Sequence, residues 1–274
     1  QPQLAKELDL FVRPEEVLTV ARGVAMVFKE HGYRERRNHC RLKYLLSDWG
    51  EERFLEELLR HTGPLLKKGT VLQAASVSAP GWMGWQAQKQ AGLSWLGVAV
   101  PAGRLTSKEL EALGNLAYRY GDGTLSVTAD QNVVLLNLAS SRKEEILKEP
   151  VLLRLTPFPS ALEGLALTCP GREVCPFAVV FTKDWVPELL ASLQRRIQGK
   201  TPLRIYVSGC PNSCVRPQMA DIGLQGVFVN VGGKAEAGFE ILLGGGGAHA
   251  VLAQRLEGRI PIAQIEDVLE EFIR

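Results

Sequence analysis

Four of the five cysteines in this chain fall in two tight pairs, Cys169-PGREV-Cys175 and Cys210-PNS-Cys214, and this arrangement constrains the fold more than any other feature. A helix and a strand between the pairs can bring them together in space, so that four thiolates converge on one centre. Zinc sites draw their ligands from closer pairs, with two to four residues between them, so the five-residue gap of the first pair suits zinc less well. An iron–sulfur cluster also needs four thiolates and tolerates irregular spacing, because each cysteine binds a different iron. The flanking residues favour the cluster. Pro170, Gly171, Pro176, Gly209 and Pro211 let the loops wrap closely and turn backbone N–H groups toward sulfur. A zinc module and a set of unliganded buried thiols are the other readings of the same four residues.

Such thiols need a reducing compartment. The start "QPQLAKELDLFVRPEE" lacks the basic, apolar and small-residue regions of a signal peptide, and no apolar run reaches the roughly 18 residues needed to span a bilayer. The expectation is a cytoplasmic protein with no membrane partner. A net charge of +2 argues against nucleic acid as a partner. With 274 residues, 46% of them hydrophobic, the chain can bury a core or two. Gln1 in place of an initiator Met suggests a processed or truncated chain.

Periodicity divides the chain into three blocks. In the first, "RPEEVLTVARGVAMVFKEH" places Pro14 and acids before apolar residues at helical spacing, and "EERFLEELLRHTG" repeats the pattern up to Gly63. In the second, "SWLGVAVPAGRL" predicts a strand, "TSKELEALGNLAYRYGDG" a capped helix, and "TLSVTADQNVVLLNL" two further strands, a small α+β unit. "SSRKEEILKE" adds a short helix. In the third, "FAVVFTKDWVPELLASLQRRIQG" predicts a helix broken at Pro187, "LRIYVSG", "IGLQGVFVNV" and "GFEILLGG" predict strands, and "AHAVLAQRL" and "IAQIEDVLEEFIR" predict helices. Gly244 to Gly247 read as a flexible turn and Asp122 as turn chemistry. His31, His39, His61 and His249 form no metal-ligand spacing and are given no catalytic role.

The C-x5-C and "GCPNSC" motifs resemble the sirohaem-dependent nitrite and sulfite reductases, and the likeness extends through "RPQMADIGLQG" and "LLGGGGA". Upstream, residues 88–138 resemble the ferredoxin-like half-domain of that family, and "YRERRNHCRLKYLLSDWG" the end of its first sirohaem-binding half. The resemblance implies an α+β fold: residues 1–68 as the remnant of the first half, 69–142 as the half-domain, and 143–274 as an α/β domain binding sirohaem and a 4Fe-4S cluster. A complete enzyme of this kind has two pseudo-repeated halves, of which this chain holds the tail of the first and all of the second. The resemblance implies that Cys169, Cys175, Cys210 and Cys214 hold the cluster and that Cys214 also bridges to the sirohaem iron. Sirohaem carries many carboxylates, which implies cationic partners. Arg34, Arg37, Arg41 and Lys43 are expected to serve, with Asn212 beside the cysteines also reaching the cofactor and Arg216 capping its loop. Cys40 is expected to be a packing residue.

The implied reaction is six-electron reduction of nitrite to ammonia, with "VPAGRL", "DQNVVL" and "GCPNSCVRPQMADIGL" resembling the nitrite branch. Sulfite reduction to sulfide is the alternative, followed by a precorrin-modifying relative and a non-catalytic electron-carrying subunit. The expected partners are the small anion and an electron donor such as ferredoxin or a reductase subunit.

Overall fold

A computed structural model describes residues 2–5, 8, 10–63, 67–68, 81–197, 202–246 and 251–274. The chain packs as two units, residues 1–74 and 75–274. Among the described residues no helix is long and apolar enough to cross a membrane.

The first unit is a helical pair with a short two-stranded ladder. Strand β1 (Leu10–Phe11) pairs antiparallel with β2 (Lys67–Lys68). A 3-10 turn beginning at Pro14 leads into α1 (Val17–His31). Proline suits this place because the first amides of a helix have no intrahelical acceptor. Helix α2 (Leu42–Thr62) merges the basic-apolar segment with the second helical pattern and kinks at Gly50, whose φ is 76°. Val27, Leu45, Phe54 and Leu58 form the buried seam between the helices.

The second unit opens with an antiparallel sheet in the order β3-β4-β6-β5, built from β3 (Gly84–Ala87), β4 (Leu93–Val98), β5 (Leu125–Val127) and β6 (Val133–Ala139). Strand β3 is an addition to the expected pattern; it is short and carries Gly84 and Gln86, which weakens its alternation. Helix α3 (Ser107–Tyr120) is capped by Thr106, whose hydroxyl accepts the Glu109 amide while Glu109 accepts the Thr106 amide. This reciprocal capping satisfies two otherwise orphaned donors. Leu113, Leu116 and Ala117 of α3 pack on Leu96, Val98, Leu135 and Leu138 of the sheet. Asp122 accepts the Thr124 amide at 3.0 Å and the Asn137 side-chain amide at 2.8 Å, as its turn reading requires. The short helix α4 (Lys143–Ile146) follows.

The remaining strands form one sheet in the order β11-β10-β9-β8-β7, with β12 also paired to β10. They are β7 (Leu167–Thr168), β8 (Ile205–Ser208), β9 (Ile222–Val231), β10 (Lys234–Leu243), β11 (Gln254–Arg255) and β12 (Ile260–Pro261). β7, β8 and β9 run parallel, and β9 turns back antiparallel into β10. Helix α5 (Thr182–Ile197) crosses over between β7 and β8, and α6 (Ile265–Ile273) closes the chain. Val186, Leu189, Leu190 and Leu193 of α5 and Ile265 and Leu269 of α6 join Ile205, Val207, Leu224, Phe239 and Ile241 in the largest core cluster.

Two expectations fail here. Helix α5 does not break at Pro187: it begins at Thr182 and runs through the proline to Ile197. In the second turn Pro187 removes a single backbone bond, and the apolar face on either side is buried against the sheet. The segment "AHAVLAQRL" is not a helix where it is described; residues 247–250 lie outside the described residues, Val251 bridges to Gly246, and Gln254–Arg255 is strand β11. The edge of β10 offers unpaired backbone groups that this segment satisfies, and pairing there overrides local helix preference.

Candidate metal centre

Both cysteine pairs leave the carboxyl ends of neighbouring parallel strands. Cys169 follows β7 directly, and Cys210 comes two residues after β8. The register Leu167↔Tyr206 and Thr168↔Val207 places the first loop against the second, and the Cys169 amide continues the ladder to the Val207 carbonyl at 3.0 Å. The crevice beyond the carboxyl ends of parallel strands is where open α/β sheets bind their ligands. Val179 N–H donates to the Gly209 carbonyl at 2.8 Å, which ties the two loops together, and within the first loop Arg172 N–H donates to the Val180 carbonyl at 2.9 Å.

Cys169 and Cys210 are buried, 5% and 7% exposed, Cys175 is half-buried, and Cys214 is exposed. The Cys169 sulfur accepts N–H groups from both loops, Gly209 at 3.1 Å and Gly171 at 3.4 Å. Partial burial of its sulfur pushes the Cys214 thiol above the usual thiol range, and the charges of Cys169, Cys210 and Cys175 push it further. The Cys214 sulfur thus lies within the field of the other three. A metal among such thiols would offset that repulsion.

A multi-iron cage, in which every thiolate binds its own iron and sulfur accepts backbone N–H bonds, suits two loops whose Gly171 and Gly209 amides donate to the Cys169 sulfur.

The loops are held by residues that sequence reasoning did not single out. Ser213, between Cys210 and Cys214, has φ 57°, and its hydroxyl accepts the side-chain amides of Gln218, at 2.9 Å, and Gln225. Glu173 accepts the amides of Lys183 at 2.7 Å and Asp184 at 3.3 Å, capping α5 from within the first cysteine loop. Thr182 donates its hydroxyl to the Cys169 carbonyl at 2.7 Å. At Gly171, φ is 70°, and a Cβ there would lie 2.7 Å from the Thr182 amide nitrogen and strike the Glu173 carboxylate. No local pattern advertises these roles, because they join residues that follow no helix or strand period, from Ser213 and Gln218, five apart, to Cys169 and Gly209, 40 apart.

Asn212 is exposed at the tip of the second loop. Arg216 is the residue before the 3-10 turn Pro217–Met219 and has φ 56°, but its side chain makes no capping bond, so the expected cap is absent. Gly244, Gly245 and Gly246 donate to Asp221, Ala220 and Val251 carbonyls at 2.7–2.9 Å, which anchors the described part of the glycine run; Gly247 lies outside the described residues.

The expected cationic residues belong to the first unit, in and after the connection between α1 and α2. Arg34 is committed locally: it donates to the Phe28 carbonyl at 2.9 Å and the Tyr33 carbonyl at 3.0 Å and lies over the Phe28 ring. Lys43 sits over the Tyr44 ring. Arg37 and Arg41 are exposed. Cys40 is half-buried and donates its thiol to the Arg36 carbonyl at 3.1 Å, closing a turn. Packing of α1 on α2 brings His31 to Glu57 at 3.3 Å and His61 to Glu30 at 3.2 Å, pairings hidden in the sequence spacing.

The family model for the nitrite and sulphite reductase 4Fe-4S domain matches residues 1–64 and 166–274, and that for the nitrite/sulfite reductase ferredoxin-like half domain matches residues 86–152. A ferredoxin–nitrite reductase of Synechococcus elongatus is 35% identical over 94% of this chain and 50% of its own length. The chloroplastic ferredoxin–nitrite reductase of Spinacia oleracea is 31% identical over 97% of this chain and 46% of its own. The solved structure of Mycobacterium tuberculosis NirA superimposes with a TM-score of 0.92 at 31% identity, covering 100% of this chain and 52% of NirA. The chain thus spans about half the length of the relatives it matches. Two family models, covering both the cysteine-bearing domain and the antiparallel sheet, establish that the chain belongs to the nitrite and sulfite reductase family, whose cofactors are a 4Fe-4S cluster and sirohaem.

Proposed function

We propose that this chain is part of a sirohaem nitrite reductase that reduces nitrite to ammonia with six electrons. The observation that carries the reading is that the two cysteine loops leave the ends of adjacent parallel strands and meet, the Gly209 amide beside Cys210 donating to the Cys169 sulfur. Residues 1–68 are the tail of the first sirohaem-binding half, 69–142 the half-domain and 143–274 the cluster domain. The order of segments is supported by one family model matching residues 1–64 and 166–274 on either side of the half-domain match at 86–152, which runs past residue 142.

In this reading the four cysteines would hold the cluster, and Cys214 would be the one that also serves sirohaem. Cys214 is the exposed residue of the four, which supports that role because an exposed residue can face a second group. Bound together, the two cofactors supply the electron storage and the site of anion reduction. The chain's own residues hold and orient. Gly171 and Gly209 direct N–H groups at sulfur, and Ser213, Gln218 and Gln225 fix the second loop. The roles of Arg37, Arg41, Lys43 and Asn212 toward sirohaem carboxylates rest on the family resemblance, whereas Arg34 donates to the end of α1. Ferredoxin is the proposed electron donor, as the names of the similar reductases indicate, and the cytoplasm the proposed setting.

Sulfite is the second reading, favoured by 30% identity to a sulfite reductase [ferredoxin] of Mycolicibacterium paratuberculosis. Turnover of nitrite and of sulfite by one purified preparation with reduced ferredoxin, alongside its visible spectrum and iron and sulfide content, decides between them. Faster nitrite turnover supports the first reading, faster sulfite turnover the second, and zinc without iron refutes both. In Cys214→Ser, the spectral coupling between haem and cluster should be lost.

A further inference from the structure

Lys183, in the first turn of α5, is held in an unusual way. Its ammonium donates to the Ala102 carbonyl at 2.5 Å, the Thr168 hydroxyl at 3.0 Å and the Thr168 carbonyl at 3.2 Å. An ammonium has three protons, so its bonding is complete. All three acceptors are neutral. The nearby carboxylate of Glu173 takes the Lys183 and Asp184 amides on Oε1, its Oε2 is buried and makes no hydrogen bond to the ammonium, and Arg104 is paired with Asp184 at 2.6 Å. The half-buried positive charge of Lys183 therefore has no carboxylate bonded to it, and it is anchored to the residue immediately before Cys169. Burial lowers its pKa, and the charges of Cys169 and then Glu173 oppose that shift. Other cations near the cysteines differ: Arg172 and Arg216 are exposed, where water screens them.

Reduction adds an electron to a centre already bearing four thiolates, and a fixed cation inside the protein favours the reduced state more than one in water does. We propose that Lys183 is a tuning residue that raises the reduction potential of the centre held by Cys169, Cys175, Cys210 and Cys214, acting through its fixed charge and without ligating it. The inference rests on the four-cysteine cluster reading above.

The test is an EPR-monitored redox titration of the purified, cofactor-loaded protein and its Lys183→Gln, Lys183→Met and Lys183→Arg variants, each with iron and acid-labile sulfide measured per chain. The neutral variants should carry a full cluster that is about tenfold harder to reduce, a midpoint about 59 mV lower for a one-electron couple. Lys183→Arg should stay close to wild type, which a merely structural brace does not predict. An unchanged midpoint in a fully loaded neutral variant, or loss of the cluster from both neutral variants, overturns the proposal. Absence of iron and sulfide from the wild-type protein refutes the cluster reading instead, so the two failures are distinct.

Discussion

The side chain of Gln131 pairs with the backbone of Thr168 as another strand would. Its Nε2 donates to the Thr168 carbonyl at 2.9 Å, and its Oε1 accepts the Thr168 amide at 3.2 Å. Strand β7 has β8 on one edge, and Gln131 satisfies the other. The half-domain thus braces the residue that precedes the first cysteine of the proposed cluster. Gln131 is held at φ 62°, and its neighbour Asn132 accepts the Val100 amide at 2.9 Å, so the "DQN" turn serves two distant segments.

Replacing Gln131 with Leu leaves the Thr168 amide unpaired at a residue that is 0% exposed. An unsatisfied buried donor costs about 1–3 kcal/mol. The expected outcome is a stability loss of that size in denaturant unfolding, with a lower iron content.

Gly226 on β9 permits a close approach: a Cβ there would lie 2.5 Å from the Gly209 carbonyl carbon and strike its oxygen. Gly226→Ala pushes away the backbone whose amide bonds the Cys169 sulfur. Overpacking costs about 1–3 kcal/mol, and a lower Tm with reduced iron and sulfide content is expected. Gly114→Ala, in helix α3 with open space around the added carbon, is the control and should raise Tm slightly.

Glu173→Ala removes the cap on α5. Losing a helix cap costs about 1 kcal/mol, and hydrogen exchange should quicken at the amides of Lys183 and Asp184, which the carboxylate now holds.

Burial alone would raise the Asp221 carboxyl, but the side chain and amide of Arg204 outweigh it and hold the carboxyl below its ordinary range. A depressed folded-state pKa contributes stability that is fully present above the unfolded value, about 3.9, and is lost as pH falls through the folded value. Asp221→Asn should therefore be less stable than wild type at neutral pH, with the gap narrowing below about pH 4 in urea unfolding followed across pH.

Local chemistry made much of this fold legible. Pro14 announces α1, Thr106 and Glu109 announce α3, and the unbroken β-rich run Ile222–Val231 is a single strand of that length. Where reading failed, a distant partner decided. Val251–Leu256 follows the edge of β10, α5 tolerates Pro187 because its apolar face is covered, and β3 exists through its pairing with β4. Gln131 and Thr168 lie 37 residues apart, beyond the reach of any periodicity.

The sequence by itself determined the chemistry of the centre: four thiols in two spaced pairs, glycine and proline where loops must wrap, and a chain recognisable as part of a nitrite or sulfite reductase. Tertiary structure alone decided that the pairs meet. Parallel hydrogen bonding of β7 to β8 aligns Cys169 with the second loop, and such bonding depends on backbone register between segments about 40 residues apart, which side-chain order within either segment does not encode.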